Sequence, residues 1–535
     1  MKKKITQFRW LVTTLLLVAA MAMPKMAWAE VTTSQPNGNG SAMSPYEITT
    51  AAELAWFRDH VNAGNKTACA RLMADINMSS VCHAANENEG VEELSWVPIS
   101  DMLQVGSNYW YGTFDGNNKT ISNLYVNTTA ERSGLFGYIY NMEASERGSV
   151  KNINFENVSV TSTADHLGVL AGYARNTDIS GITVNSGTLN GTEDCGGIVG
   201  LIDGSSLSGC INKINIVGGS SDGNTEIGGI VGCAKNSSSI TNCANYGNIT
   251  GYRIVGGIVG TANGSTIENV FSSGNVTCIY DGPSSGTNTG LVVGYIYENV
   301  TISGNVIYNS EANLSYGTTQ QAAKAFGHIS SSSTVTESDA TGMTKKLLAT
   351  GKATYLLNGS SPNGVWGQQI GEDSYPVLGS NKKVYCGYKD CLEITYSNNQ
   401  EELSENPVHH YDNGFCKDCH VYQPATLNAN GKYEIGNAGQ LYWFAALVNG
   451  NAKVCDYNET DNLTGTKQNR AASAVLTADI TVENNRIWTP IGWDESGDVY
   501  EGTFDGQFHT IKGLYYNGSA SQGIGLFSQL ERGTI

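Results

Sequence analysis

A box of glycines enclosing apolar residues returns along this chain every 28 to 35 residues, and it constrains the fold more than any other feature. It reads "GLFG" ending at Gly137, "GVLAG" at Gly172, "GGIVG" at Gly200, Gly232 and Gly260, and "GLVVG" at Gly294, with "AFGHI" around Gly327 as a degenerate last copy. A second element recurs between boxes: "SVKNI" from Ser149, "DISGI" from Asp178, "SLSGC" from Ser206, "SITNC" from Ser239 and "TIENV" from Thr266. A third follows, "GTLNG" ending at Gly191, "GNITG" at Gly251 and "GNVTC" at Cys278. One such unit cannot bury its own apolar face but stacked copies can, so a fixed period of this length marks a solenoid. Three short apolar stretches per period, with no helical rhythm, predict three strands per coil of a parallel β-helix, each coil adding about 4.8 Å. Crossover preference makes its expected hand right. A β-propeller blade needs about 40 or more residues, which is longer than this period. In "SITNC" the apolar residues stand three apart, and a straight strand would send them to opposite faces. A bend at Thr241-Asn242 is therefore expected.

The chain also begins twice. "YEITTAAELAWFRDHVNAG" (residues 46–64) aligns without a gap to "YEIGNAGQLYWFAALVNG" (residues 433–450). Thr50 with Glu53 reads as a helix capping box, and Asn437 with Gln440 as the same device in other residues. Leu54, Phe57 and Val61 then fall on one helical face, as do Leu441, Phe444 and Val448. The order continues alike in both copies: "ADI" at Ala74 and Ala478, "WVPIS" at Trp96 and "WTPIG" at Trp488, then "GTFDG", then "GLF". A solenoid end exposes apolar surface and strand edges and needs a cover. The helix is expected to be that cap, and "GTFDG" to open the first coil with a hairpin-type Asp-Gly turn at Asp115-Gly116 and Asp505-Gly506. A lone Asp in Asp-Gly without a partner carboxylate reads as a turn residue rather than a catalytic acid. The second copy stops at "GTI", residues 533–535, where the first continues into "KNI", so the sequence is expected to be part of a longer protein.

Lys2, Lys3 and Lys4, an apolar run over residues 11–23 and Ala27-Trp28-Ala29 have the layout of a secretory signal peptide. Loss of residues 1–29 removes Lys2, Lys3, Lys4, Arg9 and Lys25 and no acid, taking the formal charge from −18 to −23. So acidic a surface argues against nucleic acid and anionic lipid as partners. Gly is 63 of 535 residues and Pro only 10, and the regular recurrence of Ile, Val and Tyr excludes disorder.

The residues "GLFGYI", "GGIVG", "SITNCANYGNITG" and "GTFDGNNKTISNLYV" resemble the GLUG-repeat proteins, over about residues 44–330 and 432–535. Those are secreted or surface proteins of gut-type bacteria, and the repeat also occurs in immunoglobulin A-cleaving metallopeptidases. The resemblance implies a repeat scaffold and an extracellular or cell-surface place. It does not carry over the peptidase zinc site: none of the eight His residues is followed by Glu, so no His-Glu-x-x-His exists here.

One stretch carries metal-type chemistry. Cys386 and Cys391 are followed by His409-His410 and by Cys416-Lys-Asp-Cys419, with His420 adjacent. Two Cys pairs separated in this way fit a zinc ribbon, with Cys386, Cys391, Cys416 and Cys419 as ligands of a structural zinc. One or two disulfides stapling a small secreted domain fit equally well, and a redox role ranks below both. Cys210 and Cys243, at equivalent repeat positions, read as a ladder of small buried hydrophobes, and Cys69 with Cys82 as a local disulfide. Tyrosine supplies 27 of the aromatic residues. Exposed Tyr stacks on sugars, but Tyr also suits half-buried strands.

These observations predict an all-β chain: a right-handed parallel β-helix with an N-terminal capping helix, a small Cys-rich linker domain and the start of a second β-helix. The expected boundaries are signal peptide 1–29, cap 30–95, repeats 96–330, post-solenoid linker 331–385, Cys/His-rich domain 386–424 and second module 425–535. The function expected is a non-catalytic adhesin binding glycan or host-surface protein. The alternatives are a non-catalytic arm of a larger secreted hydrolase and a structural stalk. Acids such as Asp178, Glu193, Asp203 and Glu268 fall at different points of the period, so no active-site groove is expected.

Overall fold

The structure is a computed structural model; it describes residues 31–101, 109–141, 146–219, 225–280, 288–450, 469–483, 486–492, 499–517 and 523–535. The signal-peptide reading lies outside them. The chain divides into two compact units, Met1–Val384 and Tyr385–Ile535.

Unit one is a parallel β-helix. Its coils build four sheets, of 15, eight, five and seven strands, rather than the three expected. The difference lies in the glycine box, which is a corner and not a strand. Cys195–Gly196 closes the five-stranded sheet, Gly197 and Ile198 turn, and Val199–Asp203 opens the seven-stranded one. Successive coils pair parallel and in register, as in Ile179, Leu207, Ile240 and Ile267, which form one core ladder with exposures of 1% or less. At the last coil Leu314–Tyr316 pairs antiparallel with Thr319–Gln321.

The bend expected in "SITNC" is present. Ser239–Thr241 and Ala244–Asn245 are separate strands, Asn242 between them has φ +52°, and both Ile240 and Cys243 point into the core. The corresponding residues of the other coils are Asn152, Gly181, Gly209, Asn269 and Gly304, all left-handed. Only Gly, and among side-chain residues chiefly Asn, occupies that region cheaply, which is why the repeat alternates between these two. Cys210 and Cys243 are free and fully buried on this inner ladder.

The cap helix Ala51–Asn62 starts on the expected capping box, with Thr50 accepting from Glu53 N and Glu53 accepting from Thr50 N. Leu54, Phe57 and Val61 are fully buried against the first coil. Asp115 is not in a hairpin turn, because its neighbours are parallel. Its carboxylate accepts from Asn117 N at 2.9 Å, and Asn117 and Asn118 form a left-handed bulge where the register to the next strand shifts. Cys69 and Cys82 are free, and their thiols donate to different backbone carbonyls, Thr67 O and Asn123 O. The disulfide expected there does not form.

The segment after the last box packs on the solenoid. Thr341–Met343 adds a strand beside Ile307–Asn309, and two short helices, Lys345–Leu348 and Lys352–Leu357, lead to Trp366. These residues bury Ala244, Phe271 and Ile307 beneath Leu348, Leu357 and Trp366. Trp366 Nε1 donates to Asn242 Oδ1 at 3.2 Å.

Unit two opens as unit one does. Its helix Ala438–Asn449 is capped by Asn437, and Gly436 N donates to Gln440 Oε1. Asn62 donates to Pro98 O at 3.0 Å in the first copy, and Asn449 to Pro490 O at 2.9 Å in the second. Trp110 Nε1 donates to Ala68 O, and Tyr500 OH to Ala472 O, so two different aromatics hold one place. Trp110 stacks on Phe136 at 5.0 Å and Tyr500 on Phe527 at 5.5 Å. The Asp505 bulge also repeats, with Gln507 and Phe508 left-handed.

Candidate metal centre and the outer face of the coils

A β-hairpin, Tyr411–Asp412 and Phe415–Cys416, turns through left-handed Asn413 and Gly414. Its second strand runs into the Cys416-x-x-Cys419 knuckle, which His420 leaves with φ +65°. The knuckle brings Cys416 and Cys419 to one side, and Cys391 and His409 meet them there. One ligand atom of each of these four residues lies within 4.8 Å of the other three. Cys391 Sγ stands 3.5 Å from Cys416 Sγ, and Cys419 Sγ 3.3 Å from His409 Nδ1. Three of the four expected sulfurs therefore converge. Cys386 sits on the strand Tyr385–Tyr388 opposite Tyr396 and is not one of the group; His409 takes its place. His409 stands within the cluster in the sequence, but the pairwise spacing of the cysteines singles out four sulfurs.

The sulfur separation exceeds a disulfide bond of about 2.05 Å and approaches the roughly 3.7 Å edge of a tetrahedron with 2.3 Å metal–sulfur bonds. All four cysteines are free thiols. Burial and the crowding of Cys419 and Cys416 push the Cys391 thiol up to about 12. Burial would raise Cys416 as well, but the backbone N–H groups of Cys419 and Asp418, with His409, hold it down to about 6. A knuckle whose amides already stabilise a thiolate is half prepared for a cation. The group of three thiols and one imidazole could hold one metal ion.

The hairpin is also a contact surface. Phe415 packs edge-on against Tyr442 of the second cap helix at 5.4 Å. Asn413 Nδ2 donates to Thr481 O, and its carbonyl accepts from Gly439 N in the first turn of that helix. The metal group thus adjoins the loop that holds the start of the second cap.

On the solenoid, Asp178 and Glu268 share the 15-stranded sheet but stand three coils apart and two positions out of register, while Asp203 lies on the seven-stranded sheet and Glu193 in a turn. Two residues ahead of the box, three successive coils place titratable side chains in one row. His166, Asp194 and Glu226 occupy the same place in three consecutive coils, since Leu167 pairs with Cys195 and Cys195 with Ile227. His166 Nε2 is 3.3 Å from Asp194 Oδ2, and Asp194 is hydrogen-bonded to Glu226. Burial, then the Glu226 charge, raise the Asp194 carboxyl far above the carboxylate range. Burial, with Arg132 and Lys235 nearby, lowers His166 to about 4, so its ring is neutral at pH 7. The signal was legible, because the three residues stand at one offset from "LG", "CG" and "IG".

This ladder makes stability pH-dependent. Unfolded Asp194 loses its proton near pH 4, whereas the folded chain retains it to a much higher pH. The folded state therefore loses stability as pH climbs through that window. Asp194→Asn removes the slope. Its melting temperature is expected to match the wild type at pH 4 and to exceed it by roughly 3 °C at pH 8, measured by circular dichroism. Equal pH profiles would show that the carboxyls do not share the proton.

On the same outer side, Tyr109, Tyr138 and Tyr140 form a half-exposed shelf. Tyr138 lies 4.4 Å from Tyr109 edge-on and 5.2 Å from Tyr140 stacked, with Arg132 over Tyr138 and Arg175 over Tyr140.

No family model matches the chain, so its likeness to GLUG repeats rests on the motifs alone. Over 172 residues, 32% of this chain, the sequence is 33% identical to Halomucin of Haloquadratum walsbyi, and that span is 2% of Halomucin's length. Among solved structures, a "putative immunoglobulin A1 protease" from Bacteroides ovatus aligns with a TM-score of 0.46 and 20% identity, over 64% of this chain and 94% of that one. Among the described residues no helix is long and apolar enough to cross a membrane.

Proposed function

We propose that the chain is an extracellular, non-catalytic β-helix scaffold that binds surface glycan, with a structural zinc ion in the second unit. The observation that carries the binding role is the tyrosine shelf. Three half-exposed rings within 5.4 Å of one another, with guanidinium groups over two of them, gather phenol hydroxyls, ring edges and cationic donors on one sheet. Such amphipathic side chains combine apolar contact for the C–H side of a sugar with polar contacts at its edge. The non-catalytic reading is supported by the placing of Asp178, Glu193, Asp203 and Glu268, which fall at different points of the period rather than in one register. Cys391, His409, Cys416 and Cys419 suit zinc because soft thiolates with one imidazole make a closed, four-ligand structural set.

The test is retention of the purified chain on immobilised mucin, with glycan and peptide turnover followed in parallel. Retention without turnover is expected, and Tyr138→Ala with Tyr140→Ala should weaken it at least tenfold. Turnover that disappears in Asp194→Asn with Glu226→Gln would overturn the scaffold reading. No retention on any glycan would leave a stalk as the better account.

A further inference from the structure

The tyrosine shelf carries two guanidinium groups, and their surroundings differ. Arg132 Nη1 donates to Glu131 Oε2 at 3.0 Å, so its charge is answered within the chain. Arg175 is the in-register neighbour of Tyr140 on the next coil, and its guanidinium lies 5.2 Å from that ring's centroid with the side chain 43% exposed. Its ion-pair partner Asp203 stands 3.8 Å from Nε, beyond hydrogen-bond range. The Asp203 carboxylate is taken up elsewhere, accepting from Tyr173 OH at 2.9 Å and from Asn236 Nδ2 at 3.0 Å. Among the described residues nothing accepts a hydrogen bond from the outer fork of Arg175.

Arg147 shows what a structural arginine does on the same solenoid. Its Nε donates to Asp178 Oδ1 at 2.8 Å, Nη1 to Gly204 O at 3.0 Å and Nη2 to Thr177 O at 3.1 Å, so it is spent on tying coils together. The Arg175 fork makes no such bond. Its planar donors match the paired oxygens of a carboxylate or of a tetrahedral oxyanion. Phenols stand beside it, because Tyr138 and Tyr109 lie 5.2 Å and 5.4 Å from the Tyr140 ring beneath the guanidinium.

Net charge limits the ligand from the other side. The chain carries a formal charge of −18, a field that repels a polyanion along its length. Screening acts over about 8 Å at physiological ionic strength. A single anionic group in contact with Arg175 therefore feels the guanidinium far more than the rest of the chain. One acidic group is favoured, and a polyanionic chain is not.

We infer that the tyrosine shelf selects an acidic sugar, a terminal residue bearing one carboxylate or one sulfate ester whose oxygens accept from the Arg175 fork beside Tyr109, Tyr138 and Tyr140. The assignment rests on the glycan-binding reading above and names the class of glycan. Arg175 is the residue that sets the specificity.

The full chain should be titrated by calorimetry with the methyl glycosides of N-acetylneuraminic acid and of galactose 6-sulfate, against neutral methyl galactoside. At least one acidic glycoside is expected to bind roughly tenfold to a hundredfold tighter than the neutral one, the range for hydrogen bonds to a charged group. Which of the two binds identifies the anion as carboxylate or sulfate. Raising the ionic strength should shrink that preference and leave neutral binding unchanged. Arg175→Gln should bring the acidic glycosides down to the affinity of the neutral one without moving the melting temperature, since Asp203 keeps Tyr173 and Asn236. Should that variant fold poorly, the salt dependence of the wild type decides. Equal affinity for acidic and neutral glycosides, a preference indifferent to salt, or one that survives in Arg175→Gln would overturn the inference. So would silence toward all three glycosides while mucin retention persists. In each of these cases, retention that is still lost in Tyr138→Ala with Tyr140→Ala leaves the shelf standing as a site for neutral sugar. Silence toward every glycoside together with no mucin retention would overturn both readings.

Discussion

Cys416→Ser with Cys419→Ser should abolish zinc binding and unfold the hairpin that holds the second cap. The wild-type chain is expected to carry one zinc per molecule by elemental analysis, bound at the group of Cys391, His409, Cys416 and Cys419. In small zinc modules the binding free energy is largely folding free energy, roughly 10–16 kcal/mol at neutral pH. Here the hairpin's own core is slight: Phe415 packs on Tyr422 and Tyr442, and little else beside it is buried. Removing two ligands, or chelating the ion, should release residues 386–424 to protease. The start of the second helix should then lose the bonds of Asn413 to Gly439 and Thr481. Two melting transitions are expected, and chelation should lower that of the second unit by 10 °C or more while leaving the β-helix unchanged, since no member of the group lies in unit one. Cys386→Ser is the control and should retain the metal. If Cys386→Ser loses zinc as fully as Cys416→Ser, the set of four cysteines read from the sequence is the correct one.

Gly229→Ala should cost roughly 4 kcal/mol or more, although it adds a single methyl group. Gly197, Gly229 and Gly257 are the second glycines of three boxes, and their missing side chains point along the axis of the solenoid. A Cβ on Gly197 would strike Gly229 O, one on Gly229 would strike Gly257 O, and one on Gly257 would strike Leu291 O. These are backbone atoms of the next coil, held by parallel pairing on both sides at about 4.8 Å. They cannot move without opening the stack. A Cβ at Gly229 also meets the side chain of Asn245, buried on the neighbouring sheet. The expected result is loss of the cooperative melt of unit one, or a fall in its midpoint by 10 °C or more. Gly506→Ala is the comparison: a Cβ there meets nothing within 4 Å, and its effect should stay within about 0.5 kcal/mol. Equal behaviour of the two variants would mean that the boxes are conformational and not steric.

The sequence by itself determined what depends on neighbours along the chain. The spacing of boxes set the coil, and the alternation of Asn and Gly at positions such as Gly209, Asn242 and Asn269 marked one left-handed corner of every turn. The capping residues Thr50, Glu53, Asn437 and Gln440 located both helices, because a cap is a contact over three or four residues. It also identified the cysteine region as the place with metal chemistry. What it left open was every meeting of side chains from different coils or loops. The four-sheet cross-section followed from where the box turns, and an apolar run alone does not say whether it is a strand or a corner. His409 displaced Cys386 because the path from Cys391 to the other three ligands is set by hairpins, not by spacing. His166, Asp194 and Glu226 came together because coils of unequal length absorb their differences in the turns and restore register at the box. Trp488 is as buried as its twin Trp96 although the second helix carries Ala445 in place of Arg58, because Tyr442 packs edge-on against it instead. Composition and periodicity are blind to such an exchange between neighbours, and only the packed structure shows which side chain covers which.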